Sequence, residues 1–303
     1  MENGNAQGVV LQLQDYSIHD GAGVRTIIFL AGCPLRCQWC ANPESWTLER
    51  KLFYYRHKCK ECSRCQAACP QGLCPATMER PNALCDACGK CVAACPHKAL
   101  ALACTEKTVA EITQQIERDG IFFRFTGGGV TFSGGEPFYQ LAFITKLINS
   151  FYDAGINMWI ETCGNYQWDS VKDLVAKLDH VFMDIKHLDP QLHKKYTGVS
   201  NVTILQNIKH VYELGIPLTL RMPAMMDVNM TESNLHALGN FIQQNVPKAE
   251  MELLPYHQLG KAKFLALGGK AENFKSFKTP ESRDMEHAYE ILRSYGVNIV
   301  EYR

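Results

Sequence analysis

Gly32-Cys33-Pro34-Leu35-Arg36-Cys37-Gln38-Trp39-Cys40 follows the apolar run Thr26-Ile27-Ile28-Phe29-Leu30 and spaces three cysteines as C-x3-C-x2-C. Three thiolates this close can hold three corners of a [4Fe–4S] cube, whereas a structural cluster takes four protein ligands. One iron then keeps an open position, the arrangement that separates catalytic from structural zinc sites. Such an iron can bind a substrate or a second cofactor. A zinc knuckle completed by a remote ligand is the competing reading of this spacing.

The remaining cysteines bear on the element. Two further runs occur, Cys59-x2-Cys62-x2-Cys65-x3-Cys69-Pro70 and Cys85-x2-Cys88-x2-Cys91-x3-Cys95-Pro96. This is the bacterial ferredoxin pattern, in which the fourth cysteine of each run ligates the cluster held mainly by the other. One cluster is therefore expected on Cys59, Cys62, Cys65 and Cys95, and a second on Cys85, Cys88, Cys91 and Cys69. Paired C-x2-C motifs also serve zinc, but a doubled run with a proline after each final cysteine is hard to reach that way. Cys74, Cys104 and Cys163 are left over and read as small buried hydrophobes.

Fourteen cysteines in 303 residues suit a reducing, cytoplasmic setting, since disulfide-rich chains are normally short and stapled. Met1-Glu2-Asn3-Gly4-Asn5 has neither a basic n-region nor an apolar h-region, so no signal peptide is expected. No stretch is long and apolar enough for a bilayer, and no membrane role is expected. The formal net charge is zero, which removes the broad basic field of non-specific nucleic-acid binding. A protein or small-molecule partner fits better.

Composition shifts abruptly over residues 52–102, where cysteines crowd together with Pro, Gly, Ala and Lys. With few large apolar residues, that stretch needs its clusters to hold it together. It divides the remainder into 1–51 and 103–303. Over 103–303, β-rich runs at 129–133, 157–161, 180–184, 217–221, 251–255 and 297–300 alternate with helical patterns at 138–154, 168–178, 202–214, 231–245 and 279–294. Alternation implies βαβ units and a parallel sheet, and the run before the first cysteines supplies another strand. Six or seven strands suit a full or partial (β/α) barrel, with a doubly wound open sheet as the rival.

Active sites of such folds gather at the C-terminal ends of the strands. Ser133-Gly134-Gly135-Glu136-Pro137 follows one run, and its glycines let a ligand approach the backbone closely. Taken in isolation the motif reads first as a plain strand-to-helix turn with a proline at the helix start. Gly127-Gly128-Gly129 precedes that run and reads as an open segment. Other runs end in Glu161-Thr162-Cys163-Gly164, Asp184-Ile185-Lys186, Arg221-Met222-Pro223 and Pro255-Tyr256-His257. Polar groups of both signs on successive strands predict a funnel fit for a small zwitterion. His193 and His210 read as helix-surface residues without a role.

The triplet, Gly134-Gly135-Glu136-Pro137, Asp184-Ile185-Lys186 and Leu253-Leu254-Pro255-Tyr256-His257-Gln258-Leu259-Gly260-Lys261 together resemble radical S-adenosylmethionine enzymes. More narrowly they resemble the activating enzymes of glycyl-radical enzymes, the group that includes pyruvate formate-lyase activase. Asp20-Gly21-Ala22-Gly23-Val24-Arg25 is similar to that family's Asp-Gly-Pro-Gly-Ile-Arg, with Ala22 replacing the proline. The resemblance covers essentially the whole chain. It implies a partial (β/α)6-type TIM barrel with an inserted ferredoxin-like domain, as in the longer activases.

The resemblance further implies three [4Fe–4S] clusters and S-adenosylmethionine as cofactors. Cys33, Cys37 and Cys40 would hold the radical-generating cluster and count, with Lys186, as catalytic. Trp39, Cys40, Ala41, Gly135, Asp184, Ile185, Lys186, Arg221 and His257 would surround the cofactor. The 20–25 loop would meet the glycine-bearing peptide of the partner, and Glu161 stands where short activases carry Asp. A low-potential reductant such as flavodoxin or ferredoxin would feed the cluster. Reductive cleavage would then yield a 5′-deoxyadenosyl radical that takes hydrogen from a glycine Cα of a partner glycyl-radical enzyme. A radical enzyme acting on a small molecule and an iron–sulfur electron carrier are the rivals; a carrier has no need of a vacant iron or so large a βα scaffold.

Overall fold

The computed structural model describes residues 6–18, 21–77 and 84–301. Strand β1 (Gln7–Ser17) pairs antiparallel with β2 (Arg25–Leu30), after which the chain leaves the sheet. It passes through β3 (Leu52–Tyr54), the short helices α1 (Arg64–Ala68) and α2 (Lys90–Ala94), and β4 (Leu100–Leu102). Strand β5 (Thr105–Thr108) returns to pair antiparallel with β1. From there helices and strands alternate: α3 (Val109–Thr126), β6 (Gly129–Gly134), α4 (Leu141–Asp153), β7 (Asn157–Thr162), α5 (Trp168–Val175) and β8 (His180–Asp184). The series continues with α6 (Pro190–Thr197), α7 (Val202–Glu213), β9 (Leu218–Ala224), α8 (Glu232–Asn245), β10 (Glu250–Pro255), α9 (Leu259–Ala266), α10 (Ser282–Ser294) and β11 (Asn298–Ile299). No described helix is long and apolar enough to cross a membrane.

The sheet order is β11-β10-β9-β8-β7-β6-β2-β1-β5, and the seven strands from β2 to β11 are parallel neighbours in chain order. A doubly wound sheet reverses its strand order at a switch point. Here the order never reverses, so right-handed crossovers lay the helices on one face. On that face Ile28, Leu30, Val130, Phe132, Ile160, Met183, Leu220 and Leu253 pack with Ile112, Ile144, Ile208, Leu238 and Leu292 of the helices in one core. Alternate residues of the same strands point to the opposite face. These are Arg25, Thr131, Ser133, Trp159, Glu161, His180, Phe182, Thr219, Arg221, Glu250 and Glu252.

Local chemistry sets the element ends. Thr108 and Glu111 form a reciprocal capping box at the start of α3, and Gly127 closes that helix in the left-handed conformation. The helix expected from residue 138 begins at Leu141. Pro137–Gln140 is a 3-10 turn whose Gln140 amide bonds the backbone of Val9 and Ala31, pinning the turn to β1 and to the end of β2.

Two expectations are corrected. The glycine run at 127–129 is not an open segment beyond Gly127: Gly128 and Gly129 are buried, and a Cβ on Gly128 would lie 1.8 Å from the Val24 carbonyl oxygen. These glycines permit close backbone packing. His193 is not on the surface but only 1% exposed, its Nδ1 against the Val199 carbonyl at 2.7 Å. There it holds the turn after α6.

Residues 52–102 are clasped at their ends, where β3 and β4 pair antiparallel with Leu52 opposite Leu102. Helices α1 and α2 pack on each other. Between the two strands the described buried apolar residues are only Cys74, Pro75, Ala87 and Ala99.

Gly128→Ala is expected to lower unfolding stability by about 3 kcal/mol, because a methyl group there must push neighbouring strands apart. Gly120→Ala, in α3 where a Cβ meets nothing within 4 Å, should instead gain about 1 kcal/mol. Urea titration of both variants checks the contrast.

Candidate active site

The cysteine loop leaves β2 at its C-terminal end, where its backbone is tied on three sides. Gly32 N–H donates to Ser45 O (2.7 Å) and Glu136 N–H to Gly32 O (2.7 Å), while Arg36 and Gln38 N–H donate to Thr197 and Tyr196 carbonyls at 2.7 and 3.1 Å. A Cβ on Gly135 would come within 2.2 Å of Gly32 O, so only glycine allows this approach. Trp39 buries its ring among Tyr196, Phe277 and the Tyr256 cluster. A Cβ on Gly260 would sit 2.1 Å from Cys40 O, which puts the segment after β10 against Cys40 and Ala41.

Around the loop the structure gathers Cys33, Cys37, Cys40, Glu136, Cys163, Asp184 and Lys186. Lys186 is buried and pairs with Asp184 at 2.6 Å. Burial works against its charge, yet Asp184 and the nearby Cys37 hold its pKa above the ordinary value. Cys33 shares a hydrogen bond with Cys163, which lowers the Cys33 thiol despite burial. Burial pushes Cys37 well up and Cys40 up to about 11. Glu136 lies wholly inside, where burial raises its pKa against the bonds it accepts from the Cys163 thiol, Thr162 Oγ1 (2.7 Å), Cys163 N–H (2.8 Å) and Phe138 N–H (3.2 Å).

Below this mouth the inner sheet face carries a polar column. Arg221 lies 3.5 Å from the Phe182 ring centre, donates to Glu252 Oε2 at 2.7 Å and pairs with Glu161, which also accepts from Ser133. Both carboxylates hold its pKa up against burial. Farther down, Thr219 Oγ1 donates to Glu250 at 2.8 Å and so accepts from His180 Nε2 at 2.9 Å. His180 stacks on Trp159 at 4.2 Å. Arg25 closes the column, 4.7 Å over Trp159 and bonded to Thr131, Asn157 and the Val130 carbonyl.

Of the residues expected at the site, Cys33, Cys37, Cys40, Ala41, Gly135, Asp184, Ile185 and Lys186 come together at the mouth, Ile185 with its side chain in the core. Arg221 sits one layer below. His257 is exposed on the rim, its Nδ1 accepting from Leu259 N–H. Asp20 lies outside the described residues. Arg25 and the loop before it belong to the opposite strand end, about 17 Å from the cysteines at five strand steps. Sequence reasoning missed Ser133, Trp159, His180, Thr219, Glu250 and Glu252. Their signal is a period-2 alternation within runs that look apolar throughout.

The residues present fit an iron–sulfur cube with an open iron. Their donor set at the loop is three thiols, with backbone approach at Gly135 and an ammonium–carboxylate pair beside them. Among the described residues no three His, Cys, Asp or Glu groups gather closely enough for a single metal ion.

A family model described as a 4Fe-4S single cluster domain matches residues 19–205. The isethionate sulfite-lyase activating enzyme of Oleidesulfovibrio alaskensis is 37% identical over 280 residues, 89% of this chain and 90% of that protein. The (2S)-3-sulfopropanediol dehydratase activating enzyme of Klebsiella oxytoca is 34% identical over 98% of both chains. The chain belongs to the activating enzymes of glycyl-radical enzymes. A solved radical SAM methyltransferase from Sphaerobacter thermophilus, 13% identical, shares the fold of this activating enzyme with a TM-score of 0.53 over 91% of this chain and 65% of its own.

Arg221→Met in this activating enzyme should lower stability by about 3–5 kcal/mol, because it strands two inward carboxylates. Denaturant unfolding beside Arg221→Met/Glu161→Gln, which should recover some of the loss, checks this. Burial pushes His180 down to about 4. An unfolded histidine takes its proton near 6.5, so the fold loses stability as pH falls from about 6.5 to about 4. His180→Gln should flatten that stretch of a Tm–pH curve.

Proposed function

We propose that Cys33, Cys37 and Cys40 hold one [4Fe–4S] cluster whose open iron takes S-adenosylmethionine, and that this chain uses the pair to activate a partner glycyl-radical enzyme. The observation that carries the reading is a three-thiol loop set at the mouth of a polar, inward-facing sheet, in a chain of this family. When bound, cluster and cofactor supply reductive cleavage of the sulfonium and removal of hydrogen from a glycine Cα of the partner.

The chain's own residues position and shield. Lys186 with Asp184, the Gly135 backbone, Trp39 to Ala41, Ile185 and His257 are the residues that would hold the cofactor when it is bound. Arg221, clamped by Glu161 and Glu252, presents a fixed cation below it. An extended peptide of the partner would meet the bound cofactor at this mouth. A glycine has no side chain to obstruct its entry. The wall of the mouth excludes water and oxygen from the reacting bond. A pure electron carrier would have no use for the polar column. The sequential winding supports a partial (β/α)6 barrel over 1–51 and 103–303.

The insert, residues 52–102, reads as a ferredoxin-like domain with two further clusters. One cavity is lined by Cys59, Cys62, Cys65 and Cys95. Cys69 stands near Cys91 with Cys85 and Cys88. Both groupings follow the crossed ligation of the doubled motif. The sparse apolar core of the insert supports the same reading, since bound metal then supplies the folding energy. A low-potential reductant, flavodoxin or ferredoxin in kind, would deliver electrons from a cytoplasmic pool.

Reconstituted protein given dithionite and S-adenosylmethionine without oxygen should form methionine and 5′-deoxyadenosine. Cys37→Ala should form neither and carry about one third less iron. Wild-type protein that holds its iron, reduces fully and still forms no 5′-deoxyadenosine would refute the reading. With the true partner present, a glycyl radical signal by electron paramagnetic resonance should appear for wild type alone.

A further inference from the structure

Cys74 belongs to neither cysteine run, and its sequence context, Leu73-Cys74-Pro75, gives it the look of packing. The structure places it otherwise. Its side chain is 8% exposed and lines the same cavity as Cys59, Cys62, Cys65 and Cys95, so five thiols surround a space where a cube takes four. The rest of the lining carries no carboxylate; its polar side chains include Lys60, Ser63, Arg64 and His97, of which His97 is the one other metal-ligating type.

Geometry ranks the five. Cys59 Sγ accepts from Glu61 N–H and Cys95 Sγ from Ala99 N–H, both at 3.4 Å, the kind of amide bond that stabilises a ligating sulfur. The Cys74 thiol instead stands within hydrogen-bond reach of Cys65. Its backbone is fixed by Thr77, whose N–H and Oγ1 both donate to the Cys74 carbonyl at 3.1 Å. A thiol held at this spot, beside Cys65 on the wall of the same cavity, stands where it could take the place of Cys65 as a ligand.

We propose that Cys74 is a reserve ligand of the first insert cluster, taking the iron of Cys65 when that thiolate is lost. The exchange is redox-neutral: the Cys74 thiol gives its proton to solvent, and its sulfur forms the Fe–S bond that Cys65 no longer makes. The proposal rests on the reading that the insert carries two clusters.

The test measures iron, acid-labile sulfide and the resonance spectrum of the dithionite-reduced full chain after anaerobic reconstitution. Wild type should hold about twelve irons. Cys74→Ala and Cys65→Ala should each stay near that value, the latter with a shifted spectrum, whereas Cys65→Ala/Cys74→Ala should lose about four. Cys65→Ala/Cys74→Ser keeps the volume of the site and should also lose iron or change the spectrum again, while the irons that remain certify a folded chain. Equal loss in Cys65→Ala and the double variants would overturn the proposal, as would full retention and an unchanged spectrum in both doubles. About four irons in wild type would instead remove the insert clusters, and the reserve ligand with them.

Discussion

A guanidinium buried inside a sheet must be compensated on every side or it unfolds what surrounds it. Arg221 meets that demand with Glu252 on one flank, Glu161 on the other and the face of Phe182 against it. Four strands are thereby committed to one inward arrangement, and Ser133 on a fifth is drawn in through Glu161. The layer below repeats the logic with neutral groups, as His180, Thr219 and Glu250 pass hydrogen bonds along one line. Such a column has no place in an ordinary apolar barrel core. The largest apolar core lies instead on the other face of the sheet, against the helices.

The cysteine loop depends on the same division of labour. A rigid sheet end fixes Gly32, and the buried Glu136 ties the turn after β6 to the end of β7 through Thr162 and Cys163. The Cys163 thiol thus meets Cys33 although 130 positions separate them in the chain. Lys186 completes the wall from β8. The thiols that would carry iron are held by strand ends whose positions the core sets, not by the loop's own flexibility.

Much of this is legible in the amino-acid order alone. The C-x3-C-x2-C loop, the doubled cysteine spacing and the strand–helix alternation are short-range patterns, and the alternation appears in the sheet as expected. The antiparallel β1 and β5 are not, since alternation points only to parallel units. Strands covered on both faces read as continuous apolar runs, and that habit hides Thr131, Trp159, Thr219 and Glu250. His193 misleads because its burial depends on how the turn after α6 folds back, which helical periodicity does not encode. Cys163 lies inside, as its apolar character suggests, but its partner comes from a distant strand that no local pattern reveals. Residues 21–25 carry part of a legible motif, yet a segment that precedes a strand necessarily lies at the opposite rim from one that follows it.

Strands β3 and β4 set Leu52 directly across from Leu102, so the chain enters and leaves the cysteine-rich unit at points only about 5 Å apart. Everything between can be lengthened, shortened or removed without changing the span that joins β2 to β6. An ancestral scaffold could therefore gain or discard this cassette in a single genetic event and keep its catalytic mouth.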